Sequence, residues 1–337
     1  MNTEYKEDTG RKPSVLDDIQ SGLKGEIAAM NAIIARYLHT GHELVNSILD
    51  NYLLTKGKQI RPLLVMLSAR MFGEVNDAVL HAAASLEMLH NATLIHDDVV
   101  DETSLRRGHP TLNAIWGNHI AVLAGDIFVS KALAAVTHTE NIAIMKTLSA
   151  LGTELSLGEM DQLFNARGHN LDEESYFSMI QRKTASLFMG CVRIGAEALD
   201  VAPTEFEPLE KYARLLGLAF QIRDDIFDYF PSEETGKPSG NDLIEGKVTL
   251  PLIHALQVAP EEEVRKMKAL LEGDEVLSAD DVATLQDFAR RHGGIEYAVE
   301  VMRRLQKEGE TLMAAYPPSE SKHSFLEIFE FIIRRTH

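Results

Sequence analysis

Apolar residues recur along this chain at three- and four-residue steps, the period of an amphipathic helix. Between Glu205 and Tyr229, the side chains of Leu209, Tyr212, Leu216, Ala219 and Ile226 fall on one face. The same rhythm runs through 14–38, 75–101, 118–138, 140–166, 173–199 and 295–315. Ser14 follows Pro13 and stands three residues before Asp17, the pattern of a capped helix start. Gly41, Gly73, Gly117 and the Gly293-Gly294 pair read as stops or turns between helices. Alternating β-branched runs are nearly absent, and no fixed repeat, low-complexity tract or linker divides the chain. The pattern predicts an all-α fold, a single domain over 1–337 built from about ten or more helices. One stretch, EETGKPSGNDLIEGK at 233–247, breaks the rhythm for long enough to read as a functional loop.

Composition narrows the function. Lys and Arg total 33 against 51 Asp and Glu, a formal charge of −18, which argues against a nucleic-acid partner. An anionic substrate would have to be held by local cations or metal, because the global field repels it. The lone cysteine, Cys191, has no intrachain partner and fits a reducing, cytoplasmic compartment. The opening MNTEYKEDTGRKPS has no apolar core of a signal peptide, and no uninterrupted apolar run approaches a membrane span. A transient membrane contact stays compatible with both facts.

Two copies of D-D-x-x-D stand out: Asp97, Asp98 and Asp101 in TLIHDDVVDET, and Asp224, Asp225 and Asp228 in FQIRDDIFDYF. On a helix the first and last Asp of each motif share a face, and His90 and Thr93 extend the first stripe as Gln221 extends the second. A solvated acidic face fits poorly, because Ile95, Val99, Val100, Ile222, Ile226 and Phe227 place these carboxylates beside core surface. Carboxylates crowded near a core repel one another and resist desolvation unless cations compensate. Mg2+ bridging carboxylates to substrate phosphates supplies that compensation.

The cations for such a site are Lys58 and Arg61 in GKQIRP, Arg106 and Arg107 in SLRRGHPT, Lys183 beside Thr184 in RKTASLF, and the loop lysines Lys237 and Lys247. Lys58 and Arg61 sit at a predicted helix start, where free backbone N–H groups also favour anions. The acidic and basic sets, two diphosphates and about three Mg2+ together come close to electroneutrality.

With these residues in place, the chain resembles the trans-isoprenyl diphosphate synthases (polyprenyl synthetases). GKQIRP, EMLHNATLIHDDVVDETSLRRGHPT, GEMDQL, KTASLF, FQIRDDIFDYF and GKPSGNDLIEGKVTLP occur in the family's order and spacing across 57–251. The resemblance implies antiparallel helices around a central cavity, usually in a homodimer. It implies Mg2+ at Asp97 and Asp101 and another at Asp224, with Asp98, Asp225 and Asp228 in support. Arg106, Lys183, Thr184, Gln221, Lys237 and Lys247 would line the allylic diphosphate side. Lys58, Arg61, His90 and Arg107 would hold isopentenyl diphosphate, with the tail pair Arg334-Arg335 near that second diphosphate. The implied reaction is ionisation of the allylic diphosphate, attack by the isopentenyl double bond and loss of a proton, with 233–247 as a lid.

Product length is read from the helix leading into the first motif. Short-chain members often carry an aromatic residue four or five positions before the first Asp, where this chain has Thr93 and Ala92, with Ser85 further back. From Asp97 to Ser85 the helix runs roughly 18 Å at 1.5 Å per residue. That accommodates about four isoprene units and reads as an all-trans product longer than about twenty carbons. A farnesyl or geranylgeranyl synthase and a regulatory subunit of a heteromeric synthase remain alternatives. A terpene cyclase would be expected to lack the second aspartate motif. A phosphohydrolase built on His96-Asp97 would leave that motif without a role.

Overall fold

The computed structural model describes residues 14–53, 57, 59–106, 108–168, 171–230, 240–273 and 277–335. The chain runs α1 (Val15–Gly22), α2 (Lys24–Leu38), α3 (Glu43–Leu53), α4 (Ile60–Phe72) and α5 (Asp77–Val100). A two-residue antiparallel ribbon follows, β1 (Leu105–Arg106) against β2 (His109–Pro110). Then come α6 (Leu112–Trp116), α7 (Asn118–Thr137), α8 (Ile142–Gly168), α9 (Glu173–Ile180), a π-helical turn (Gln181–Ala185), α10 (Ser186–Glu197) and α11 (Pro203–Phe227). The C-terminal part holds α12 (Asn241–Ile244), α13 (Leu250–Val258), α14 (Glu261–Leu271), α15 (Ala279–Arg291), α16 (Gly294–Met313) and α17 (Glu320–Arg334).

The predicted helices are present, with two departures. The 14–38 segment breaks at Leu23, whose extended-side φ of −119° ends α1 before α2 begins. Ser14 starts α1 with a reciprocal capping box to Asp17. The 173–199 segment is interrupted by the π-turn that carries Lys183 and Thr184. Such turns insert one residue into the helical ladder and are frequent at functional sites. Gly158 of α8 and Gly217 of α11 make room for this turn. A Cβ at Gly158 would lie 2.6 Å from the Lys183 backbone nitrogen, and one at Gly217 would lie 2.6 Å from the Ala185 Cα. Helices α8 and α11 therefore grip the turn from both sides.

The core centres on α4, α5, α10 and α11, with α7 packed along α5 and α16 along α11. In α4 every residue from Pro62 to Ala69 is buried, so this helix is apolar all round rather than amphipathic. A smaller cluster of Tyr229, Leu243, Leu252, Leu256, Leu285 and Phe288 joins α12, α13 and α15 beneath the second aspartate motif. Among the described residues α7 alone is long and apolar enough to cross a membrane, with a mean hydropathy of 1.8 and 39% of that window buried. Asp126 and Lys131 interrupt it.

Candidate active site

Helix α5 ends at the first motif. Asp97 and Asp98 occupy its last turn, and Asp101 is its C-cap, donating its N–H to the Asp97 carbonyl at 2.8 Å. Successive helical positions diverge by about 100°, and here they face different surroundings. Asp98 is buried and accepts from Arg106 Nε at 2.8 Å, with Asn113 Nδ2 on its carbonyl at 3.1 Å. The β1–β2 ribbon is thus tied back onto α5 by the motif's central residue. Burial raises the Asp97 carboxyl to about 7, helped by the charges of Glu159 and Asp101 and opposed by Lys183 and Arg106.

The second motif ends α11. Asp225 is buried, accepting from Tyr176 Oη at 2.5 Å and from Gln221 Nε2 at 2.8 Å. Thr184 Oγ1 donates to Gln221 Oε1 at 2.6 Å, so the amide is fixed between the π-turn and the motif. Burial raises the Asp225 carboxyl to about 6, and the bonds from Tyr176 and Gln221 hold it from rising further. Asp228 accepts backbone N–H groups of Gly240, Asn241 and Asp242 at 3.1, 3.0 and 3.2 Å. Gly240 has φ +89°, a conformation that favours glycine, and it turns the chain so those amides converge. Asp242, which sequence reasoning missed, is pushed to about 8 by burial and by the charges of Asp225 and Asp228.

Two cavities receive some of these groups, whereas Asp97, Asp101 and Asp228 line neither. The larger, about 1140 Å3, is lined by Arg61, Glu87, His90, Leu94, Asp98, Arg106, Asp224, Phe220, Phe227 and Arg335 among others. It brings one aspartate of each motif to the same space, together with three arginines. Arg335 contacts Asp224 and lies over the Phe220 and Phe227 rings at 4.7 and 5.1 Å. Burial, with Arg223 nearby, lowers the Arg335 guanidinium to about 10. The smaller cavity, about 170 Å3, is lined by Tyr176, Lys183, Thr184, Gln221, Asp225, Asp242 and Lys247. Lys183 pairs with Glu159 at 2.5 Å and donates to Gln162 Oε1 at 2.8 Å.

The structure therefore gathers Arg61, His90, Arg106 and Asp224 around one cavity, and Lys183, Thr184, Gln221, Lys247 and Asp225 around the other. Lys58, Arg107 and Lys237 lie outside the described residues, as does the 231–239 part of the expected lid. Ser85 and Ala92 are fully buried and Thr93 half-buried, and none of the three lines either cavity. Glu159 and Asp242 are additional carboxylates beside the motifs. Both lie within segments singled out from the sequence, GEMDQL and GKPSGNDLIEGK, yet a lone acidic residue there carries no spacing pattern of its own.

The residues present fit divalent cations. Asp97, Asp225 and Asp242 are all held above the ordinary carboxylate range by crowding and burial, the condition that bound cations relieve. Asp97, Asp101 and Asp224, with Glu159 and Asp242 close behind, are hard oxygen donors suited to such ions.

Comparisons with known proteins give the family. The octaprenyl diphosphate synthase of Escherichia coli strain K12 is 36% identical over 258 residues, covering 76% of this chain and 80% of the relative. A short chain isoprenyl diphosphate synthase of Methanothermobacter thermautotrophicus is 33% identical over 300 residues, covering 86% and 89%. Among solved structures, a polyprenyl synthase from Caulobacter crescentus complexed with calcium and isoprenyl diphosphate superposes with a TM-score of 0.89. It is 29% identical, and the match covers 97% of this chain and 100% of that one. The family model for polyprenyl synthetases matches residues 42–287, and with the all-α isoprenoid synthase architecture in hand, the chain belongs to the polyprenyl synthetase family.

Proposed function

We propose that this prenyltransferase condenses isopentenyl diphosphate with an allylic prenyl diphosphate to give a long all-trans polyprenyl diphosphate. One observation carries the reading: one aspartate of each motif, Asp98 and Asp224, lines a single large cavity together with Arg61, Arg106 and Arg335. Mg2+ held by Asp97, Asp101 and Asp224 would supply the positive charge that stabilises a departing diphosphate. Lys183, Thr184, Gln221 and Lys247, with Arg106, bind and orient the allylic diphosphate. Arg61 and His90, with Lys58 and Arg107, hold isopentenyl diphosphate. Leu94, Phe220 and Phe227 supply apolar wall that keeps water from the reacting carbons. Lys237 and the 233–247 loop act as a lid.

The long-chain reading rests on small residues at Ser85, Ala92 and Thr93 and on the octaprenyl name of one relative. The short-chain name of another supports the alternative product. We further propose that the enzyme acts in the cytoplasm as a homodimer, possessing one domain per chain. Ile120 and Leu123 on α7 and Leu157 and Met160 on α8 are exposed apolar side chains of the kind that a second copy would cover.

Product analysis tests the reading. The purified chain with Mg2+, radiolabelled isopentenyl diphosphate and a farnesyl primer should yield chains longer than a geranylgeranyl standard. A product that stops at farnesyl or geranylgeranyl overturns the length and leaves prenyl transfer standing. No elongation with any primer overturns the reading.

A further inference from the structure

Helix α5 carries the first aspartate motif at its C-terminal end. At its other end, about 30 Å away at 1.5 Å per residue, sits a cluster that none of this chemistry uses. Asp77 is the first residue of α5, His81 lies one turn later, and His138 is the C-cap of α7. Asp77 Oδ2 is 3.3 Å from His81 Nδ1 and 3.1 Å from His138 Nε2. All three potential ligand atoms lie within 4.8 Å of one another.

Those distances suit a particular kind of ion. Zinc-type bonds of about 2.0–2.1 Å at tetrahedral angles separate neighbouring ligand atoms by roughly 3.3 Å. Both carboxylate–imidazole edges of the cluster already have that length. Two imidazoles and one carboxylate also form a ligand set that favours Zn2+ and its transition-metal neighbours over the harder Mg2+. The two rings stack at 3.9 Å between centroids with a 30° tilt, so their nitrogens are presented side by side. His81 is 2% exposed and cannot drift, because Tyr37 packs edge-on against it at 6.0 Å. His138 and Asp77 are 51% and 70% exposed, which leaves the cluster open to solvent on one side.

We propose that Asp77, His81 and His138 form a site for a transition-metal dication of the Zn2+ class, with water as the fourth ligand. An ion there would staple the start of α5 to the end of α7. Arg36 sets what changes on binding. It donates to His81 Nε2 at 3.0 Å, so the Nδ1 proton points at the Asp77 carbonyl, 3.0 Å away. Coordination through Nδ1 moves that proton to Nε2 with no net release, and the exposed Arg36 side chain turns into solvent.

Cobalt titration tests the site apart from the aspartate motifs. The full chain is freed of metal with chelator, supplied with excess Mg2+ to fill the oxygen-rich sites, and titrated with Co2+. The expected result is one Co2+ per chain with the intense visible bands of tetrahedral coordination, displaced by Zn2+. His138→Ala and Asp77→Asn should each weaken binding by roughly tenfold or more, with helical circular dichroism and Mg2+-supported prenyl transfer unchanged. Absence of those bands, or equal Co2+ affinity in wild type and both variants, overturns the proposal. Loss of prenyl transfer in every protein would instead count against the proposed reaction and leave the cobalt readout intact.

Discussion

The two aspartate motifs share one pattern and live in different surroundings. In the first, only the central residue is committed elsewhere: Asp98 is buried against Arg106 and anchors the β-ribbon, while Asp97 and Asp101 share the other face. In the second, two of three are committed: Asp225 to Tyr176 and Gln221, and Asp228 to three backbone N–H groups of the 240–242 turn. Only Asp224 faces the large cavity, and Arg335 meets it there. The same spacing thus leaves two proposed ligands at one helix end and one at the other. This asymmetry supports a division of the proposed Mg2+ ions between an Asp97–Asp101 pair and a lone Asp224. It also supports a positioning role for the remaining carboxylates.

The sharpest way to break this comparison is to exchange ligand for anchor. Asp97→Ala and Asp224→Ala remove proposed metal donors and should lower prenyl transfer by about a thousandfold or more, the scale of losing a main electrostatic stabiliser. Asp228→Asn keeps one acceptor oxygen for the 240–242 amides and should cost less, roughly ten- to a hundredfold. Steady-state kinetics at saturating Mg2+ reads both. If Asp228→Asn proves as damaging as Asp224→Ala, the two positions have equal roles and the asymmetry fails.

Tyr176→Phe sharpens the comparison from the anchoring side. It removes the 2.5 Å bond to Asp225 and leaves a buried carboxylate with Gln221 as its remaining side-chain donor. A carboxylate held less firmly passes its displacement through Gln221 to Thr184 in the π-turn. We expect kcat to fall by roughly tenfold, with a rise in the KM of the allylic substrate and little change for isopentenyl diphosphate. Equal rises in both KM values would show a general loosening rather than positioning of one subsite.

Much of this was legible in the sequence because it rests on local periodicity. The helix spans, the Ser14 cap and both aspartate faces follow from three- and four-residue spacing, which survives folding. Orientation about the helix axis was less legible. Spacing says that Asp97 and Asp101 share a face, but Asp98 is turned to Arg106 by the tertiary placement of the ribbon. The two-residue strands are too short to leave an alternating pattern. The π-turn at 181–185 leaves no periodic trace either, since its cause lies in Gly158 and Gly217 on other helices. Asp242 and Glu159 gain their character from neighbours distant in sequence, Asp225 and Asp228 for one and Lys183 for the other. Ser85 and Ala92 were readable as small residues, but α5 turns Glu87, His90, Leu94 and Asp98 to the large cavity rather than these two, and other helices supply the rest of its wall.

The smallest expected effect is a pH dependence of stability, and it separates the two motifs. In the metal-free fold the Asp97 carboxyl sits at about 7 and that of Asp225 at about 6, against 3.8 without the fold. The folded chain therefore binds more protons than the unfolded chain between these values. Each group's contribution is fully present below about pH 4 and is lost as pH rises through its folded value. Metal-free protein should melt lower at pH 8 than at pH 5, by a few degrees on the scale of about 2–4 °C per kcal/mol. Asp225→Asn should flatten the slope around pH 6 and Asp97→Asn around pH 7, each leaving the other in place. Adding Mg2+ and inorganic diphosphate should reverse the trend, because the ligand requires charged carboxylates and stabilises most where they are deprotonated. Differential scanning fluorimetry from pH 5 to 8 reads all three. Asp242, held at about 8, adds to the slope up to that pH, so a slope that survives Asp97→Asn, Asp225→Asn and Asp242→Asn alike would place the titrating groups elsewhere and remove the electrostatic strain from the case for cations at this site.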